Sequence, residues 1–199
     1  AQTFCINELF IFHFVAKKGK TEEETQQNRR VYINYGNQPS MQTAFIFNYS
    51  GNPYLTQYWS REVIEKVYSG ISPEAGYSGD EDQGLMGSLA VLMKMGIFSM
   101  KGGASQEPYY DIGSPIFEEI RIKLDPAYFE GGEFVIEANN TSSQNRYIQA
   151  ANLNGEPLNK PWFYHKDLVK GGSLKLEMGA EPNTQWGAGL EALPPKIEE

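Results

Sequence analysis

Residues 77–98 read YSGDEDQGLMGSLAVLMKMGIF, and this stretch decides how the rest of the chain is read. Asp80, Glu81 and Asp82 sit in a glycine-flanked turn, and an almost wholly apolar segment follows. Asp82 suits a helix N-cap, where a carboxylate meets free N–H groups and the positive end of the dipole. That reading uses one acid. Three like charges so close repel one another, so the turn is also a candidate for cation binding or catalysis. Residues 84–98 are apolar nearly all round, the pattern of a helix enclosed by other elements.

Residues 40–98 as a whole favour helix, with ISPEAGYSG a loop before this last one. Ser40 is placed to cap MQTAFIFNY, with Pro39 just before it. In NPYLTQYWSREVIEKVY, Asn52 is a candidate N-cap and Pro53 suits the first helical position. Tyr54, Tyr58, Val63, Val67 and Tyr68 recur on roughly one face, and Glu62 and Lys66 make an i,i+4 pair on the wet side. Downstream of KGGAS the pattern changes. EEIRIKL, EFVIEA, RYIQAANL and SLKLEM alternate apolar and polar residues, and DPAYFEGG, NNTSSQN, LNGEPLN and VKGG supply turns between them. The expectation is an α+β chain: a helical half, then a small antiparallel β-sandwich packed against it. Trp162, Phe163 and His165 are expected to anchor the β-domain core. Trp59, Trp186, Met86, Met93 and Met95 are expected to pack. Residues 139–142, a glycosylation sequon by pattern, are expected to form a turn, and ALPPKIEE at 192–199 to be a disordered tail.

Composition bounds the function. The chain has 199 residues and a net charge of −8, with no dense Lys/Arg cluster beyond Arg29-Arg30, which argues against nucleic acid as partner. Twelve Tyr and eleven Phe fit a well-filled core or a groove for flat, partly apolar ligands such as sugars. LFIFHFVA at 9–16 is too short to span a bilayer and lacks the flanks of a signal peptide, so no membrane is expected. Cys5 alone builds neither a disulfide nor a zinc site. His13 and His165 lack metal-ligand spacing. A second polar cluster is more suggestive. Asn37, Gln38, Ser40 and Gln42 gather amides and hydroxyls where a loop becomes an apolar helix. Such oxygens suit a hard cation such as calcium, or sugar hydroxyls, and equally make ordinary caps and turns.

Together these segments resemble the family 92 glycoside hydrolases, the calcium-dependent exo-acting α-mannosidases. GNQPS, FNYSGNPYLTQ, GDEDQGLMG, MGIF, YDIGSPIFEEIRI, NRYIQAANLNGEPLN and GGSLKLEMGAEPNTQWG carry the resemblance, in that order, over residues 31–187. It implies that 31–100 are the last helices of an (α/α)6 catalytic barrel and 101–190 the C-terminal β-domain. Residues 1–30 are unmatched and 191–199 form a tail. It further implies inversion at the anomeric carbon, with Asp82 as general base, Asp80 helping to hold the water, and Glu81 structural. Calcium is expected beside this turn, fed by Asn37 and Gln38, with Ser40 and Gln42 against an α-mannoside glycan.

Three departures from the family pattern stand out. The family's general acid, a glutamate in a Glu-Gly-Asn context, has no match in NELFIF or KTEEETQ, so neither Glu8 nor Glu22, Glu23 or Glu24 takes that role. Met41-Gln42 replace a His-His pair, and Gln38 an acidic residue, which bears on α-1,2 linkage specificity. Leu89-Ala90 stand where an aromatic pair is usual. The expectation is therefore a truncated chain carrying the base half of the site and inactive alone, self-associating or pairing with a chain that supplies the missing barrel. The alternative is a non-catalytic remnant acting as a sugar-binding or self-associating module. Family members are usually secreted or periplasmic; a chain truncated at the gene would be cytoplasmic.

Overall fold

The computed structural model describes residues 33–72 and 83–195. Asp80, Glu81, Asp82, His13 and Cys5 lie outside the described residues. Ordered by contacts, the chain forms two compact units: Ala1–Thr43 with Glu62–Val91, and Ala44–Arg61 with Leu92–Glu199. The elements are helices α1 (Ile46–Tyr49), α2 (Pro53–Lys66), α3 (Leu85–Met95) and α4 (His165–Val169). The strands are β1 (Ile97–Phe98), β2 (Tyr109–Ile112), β3 (Glu119–Lys123), β4 (Glu133–Asn139), β5 (Tyr147–Leu153), β6 (Glu156–Pro157), β7 (Trp162–Tyr164) and β8 (Gly172–Gly179). The architecture is mixed α+β with two sheets. Among the described residues no helix is long and apolar enough to cross a membrane.

The second unit is built on those sheets. One has three strands, β1-β2-β7; the other has five, β3-β4-β8-β5-β6. The alternation read from the sequence sets which side of β4 and β8 is buried. Phe134, Ile136 and Ala138 alternate with half-buried or exposed residues, as do Leu174, Leu176 and Met178. Ile97, Ile112 and Phe163 from the smaller sheet complete one shared core, and the rings of Phe134 and Phe163 stack with centroids 5.8 Å apart. The expectation of an all-antiparallel β-half is corrected at one pair: β4 and β8 run parallel, Phe134 opposite Gly172 through Asn139 opposite Glu177. Parallel pairing needs a long crossover rather than a hairpin, and β5, β6, β7 and α4 supply it. A register shift in β5 skips Gln149, and beside it the Ile148 N–H donates to Gln57 Oε1 of α2 at 2.9 Å.

Three helix readings are also corrected. Residues 41–49 are not one helix capped by Ser40. They break into short 3-10 turns at Gln38–Ser40 and Thr43–Phe45 before α1. Ser40 Oγ instead accepts the backbone N–H of Asn34, and the β-branched and aromatic residues that follow are weak helix formers. The third helix stops at Met95 rather than Phe98. Gly96 adopts φ +76, and a Cβ there would meet the ring of Pro115 at 2.5 Å; beyond it Ile97–Phe98 pair with β2. In α2, which does begin at Pro53, Glu62 is not on the wet side. Its side chain is 10 % exposed although its partner Lys66 is 58 % exposed.

The anchors read from the sequence are in place. Trp162, Phe163, Trp186 and Trp59 are buried, as are Met86 and Met93, and His165 Nδ1 lies 3.1 Å from the hydroxyl of Tyr110. Residues 140–145 form a turn knitted by Ser142, Asn145 and Asn140. The first part of the tail is held, contrary to expectation: the indole N–H of Trp162 reaches the carbonyls of Ala192 (3.0 Å) and Leu193 (3.1 Å).

Candidate active site

The first unit carries the amide-rich turn. Its backbone closes on itself: Asn37 N–H donates to Asn34 O, Ser40 N–H to Asn37 O, and Met41 N–H to Gln38 O. Asn34 Oδ1 accepts the N–H of Gly36 at 2.8 Å, an Asx turn. Asn37 is extended, at φ −143 and ψ 142, and stands at the N-cap of the 3-10 turn without a side-chain capping bond. Its amide is exposed, and so is that of Gln42, while Gln38 and Ser40 are half-buried. Four oxygen-bearing side chains are thus presented within six residues on a turn tightened by its own backbone. Among the described residues there is no group of three His, Cys, Asp or Glu that could hold a metal. A hard cation here would draw on amide oxygens. The exposed, uncommitted Asn37 amide fits that donor chemistry.

What locks this turn was not legible beforehand. Tyr35 is buried, and its carbonyl accepts the hydroxyl of Tyr68 at 2.6 Å. The same hydroxyl lies 3.8 Å from Met86 Sδ, on the first turn of α3. Burial pushes the Tyr68 phenol far above its ordinary range, so it remains a donor at any physiological pH. The chain enters α3 through Gln83 and Gly84, both with positive φ (64° and 87°), and Asp82 immediately precedes them. One hydroxyl therefore ties the turn bearing Asn37 to the helix that Asp82 leads into.

A second carboxyl with unusual chemistry lies in the other unit. Asp111 on β2 has no exposed surface. Burial pushes its carboxyl up to about 7, against hydrogen bonds from Asn48 and Tyr49, the N–H of Met100 and the charge of Lys101. Asn48 Nδ2 reaches Asp111 Oδ1 at 3.3 Å, and the Tyr49 hydroxyl reaches Oδ2 at 3.2 Å. A carboxyl titrating near neutrality is what general-acid chemistry wants, but a residue with no exposed surface offers no sugar oxygen an approach. Asp111 is a structural carboxyl. Its only sequence signal was an acid inside a short aromatic strand.

The chain matches the model of the "Glycosyl hydrolase family 92 catalytic domain" over residues 5–180. It is 32 % identical over 164 residues to an "Uncharacterized secreted glycosidase" of Arthroderma benhamiae, covering 81 % of this chain and 20 % of that protein. Its structure is similar to that of the family GH92 alpha-mannosidase BT3965 from Bacteroides thetaiotaomicron. There the TM-score is 0.80 at 27 % identity, over 98 % of this chain and 24 % of that one. It is also similar to the family GH92 inverting mannosidase BT2199 of the same bacterium, with TM-score 0.71, 31 % identity and coverage of 92 % and 24 %. The chain thus spans a fifth to a quarter of the length of these relatives. With nearly all of its own residues matched in sequence and in fold, it belongs to glycoside hydrolase family 92.

Proposed function

We propose that this chain provides the C-terminal part of the catalytic apparatus of a calcium-dependent, inverting exo-α-mannosidase: the last helices of an (α/α)6 barrel and a terminal β-sandwich. The observation that carries the reading is the ordered motif set of 31–187, all but its last seven residues within the family match over 5–180, with an α-mannosidase and an inverting mannosidase among the structures it is similar to. Asp82 takes the proton of a water attacking the anomeric carbon from the face opposite the leaving group. Asp80 orients that water. Inversion needs this base and a general acid roughly 6.5–9.5 Å apart, so that the water fits between base and ring. The acid is not among the residues assigned here. Asn37 and Gln38, with the acidic turn, would hold calcium, which when bound supplies a fixed positive charge for vicinal sugar hydroxyls. Ser40 accepts from Asn34 N–H and keeps its own proton to donate to a sugar oxygen, and the exposed Gln42 amide lies beside it.

The test is hydrolysis of an aryl α-mannoside by the purified chain, with calcium and then with chelator. Calcium-dependent turnover that Asp82→Ala abolishes supports the reading. A folded chain with no turnover favours a second one, a sugar-binding or self-associating module without chemistry. The exposure of Val91 (56 %), Leu85 (40 %) and Ile71 on the helical side supports self-association. A monomer by light scattering at micromolar concentration would count against that second reading.

A further inference from the structure

The buried carboxyl of β2 stands at one end of a chain of hydroxyls whose other end is the C-terminal segment. Asp111 Oδ2 lies 3.2 Å from the Tyr49 hydroxyl, which lies 2.8 Å from the Tyr109 hydroxyl, and that lies 3.5 Å from the carbonyl of Pro195. Each phenol has one proton to give, so the direction of the whole row is set at its carboxyl end. With Asp111 ionised, Tyr49 donates to the carboxylate and Tyr109 donates to Tyr49. No proton is left for Pro195. With Asp111 protonated, the row reverses. The acid donates to Tyr49, Tyr49 to Tyr109, and Tyr109 to the Pro195 carbonyl. Asn48 does not disturb this, because its amide N–H groups serve Asp111 Oδ1 and the carbonyls of Ile112 and Pro161 in either state.

We infer that Asp111, Tyr49 and Tyr109 form a proton-directed latch, in which protonation of Asp111 fastens the segment ending at Pro195 and ionisation loosens it. At 3.5 Å the Tyr109–Pro195 contact is at the outer limit of a hydrogen bond, the weakest link of the row. The remaining groups around the carboxyl do not titrate in competition. Lys101 lies over the ring of Tyr109, and Lys160 over the rings of Trp162 and Tyr164. Burial raises Tyr49 and Tyr109, so both stay protonated. His165, the first residue of α4, is engaged with Tyr110, whose side chain points to the opposite face of β2 from Tyr109 and Asp111. The latch is independent of the glycosidase reading.

The segment reports on itself through Trp162, whose indole N–H is held by Ala192 and Leu193. The experiment follows the Trp162 indole resonance of the full chain by proton–nitrogen NMR from pH 5.5 to 8.5, assigned with Trp162→Phe. Exchange rates are corrected for the intrinsic pH dependence. The expected result is a titration near neutrality with indole protection falling about fivefold at high pH, the factor carried by one ordinary hydrogen bond. Asp111→Asn, whose amide can donate to Tyr49 permanently, should remove the titration and keep high protection. Tyr109→Phe should remove it at low protection. A Trp162 resonance unmoved across the range in the wild-type chain overturns the latch, whether or not the variants fold. A titration that persists in Asp111→Asn also overturns it.

Discussion

The five-stranded sheet and helix α2 bury their side chains by opposite means. In β4 and β8 every fully enclosed residue is apolar and the polar ones face outward, so the core is a sum of similar, non-directional contacts. In α2 the enclosed residues include Thr56, Gln57, Ser60, Arg61 and Glu62. Several have a specific partner. Gln57 Oε1 accepts the N–H of Ile148 on β5, and Ser60 Oγ donates to the Gln57 carbonyl. Arg61 reaches Ser114 Oγ (3.0 Å), the Pro115 carbonyl (2.7 Å) and Thr141 Oγ1 (2.6 Å). The lesson is that the sheet tolerates change in proportion to volume, whereas the helix depends on whether each donor finds its acceptor.

That contrast can be broken from the sheet side first. Phe134→Ala removes a side chain with no exposed surface from the stack on Phe163. It should cost about 4 kcal/mol in urea unfolding, and a smaller residue that keeps part of the volume, Phe134→Leu, should recover most of it. Equal losses for both would mean that ring geometry rather than volume holds this core.

The buried Asp111 gives a pH arm of comparable size. Its carboxyl rises from 3.8 to about 7 on folding, so the native state holds a proton that the unfolded state has released across that window. Its contribution is complete below pH 4, falls as pH rises, and is lost above about 7. The rise from 3.8 to about 7 corresponds to on the order of 4 kcal/mol. Wild-type stability minus that of Asp111→Asn should therefore fall with rising pH between 5 and 8. A difference that is flat with pH would mean the carboxyl is solvated.

On the helix side, Arg61→Met keeps the length of the stem and removes the donors. It should cost about 3 kcal/mol, because the Pro115 carbonyl and Thr141 hydroxyl lose charge-assisted bonds. The smallest effect belongs to the outer face of the sheet. Arg121 bonds both Glu119 (2.8 Å) and Glu133 (2.9 Å), yet it is exposed, and Arg121→Ala should leave the unfolding midpoint unchanged within error. If it proves as costly as Arg61→Met, partner geometry outweighs burial in this protein, and the contrast drawn here fails.

The candidate site divides in the same way. The amide turn at 36–42 was visible as a local run, because side chains that compete with backbone hydrogen bonding declare themselves within a few residues. Tyr35 and Tyr68, which lock that turn, were not, since their bond spans 33 positions. Asp111 was missed for a related reason. An acid in a short strand normally marks a solvent-facing position, and the side chains that bond this one, Asn48 and Tyr49, come more than 60 residues earlier. The acidic turn at 80–82 rests on the motif GDED and on the family to which the chain belongs.

By itself the sequence determined the α+β order, the start of α2 at Pro53 and all four longer strands, because alternation and turn residues act over a few positions. It also determined the family, through motifs that keep their order along the chain. Only the tertiary structure decided that β4 and β8 run parallel, that Gly96 ends α3 against Pro115, and that the polar stripe of α2 is an inside face. Each of those depends on a partner distant in sequence, and a residue's own type does not say whether that partner will be there.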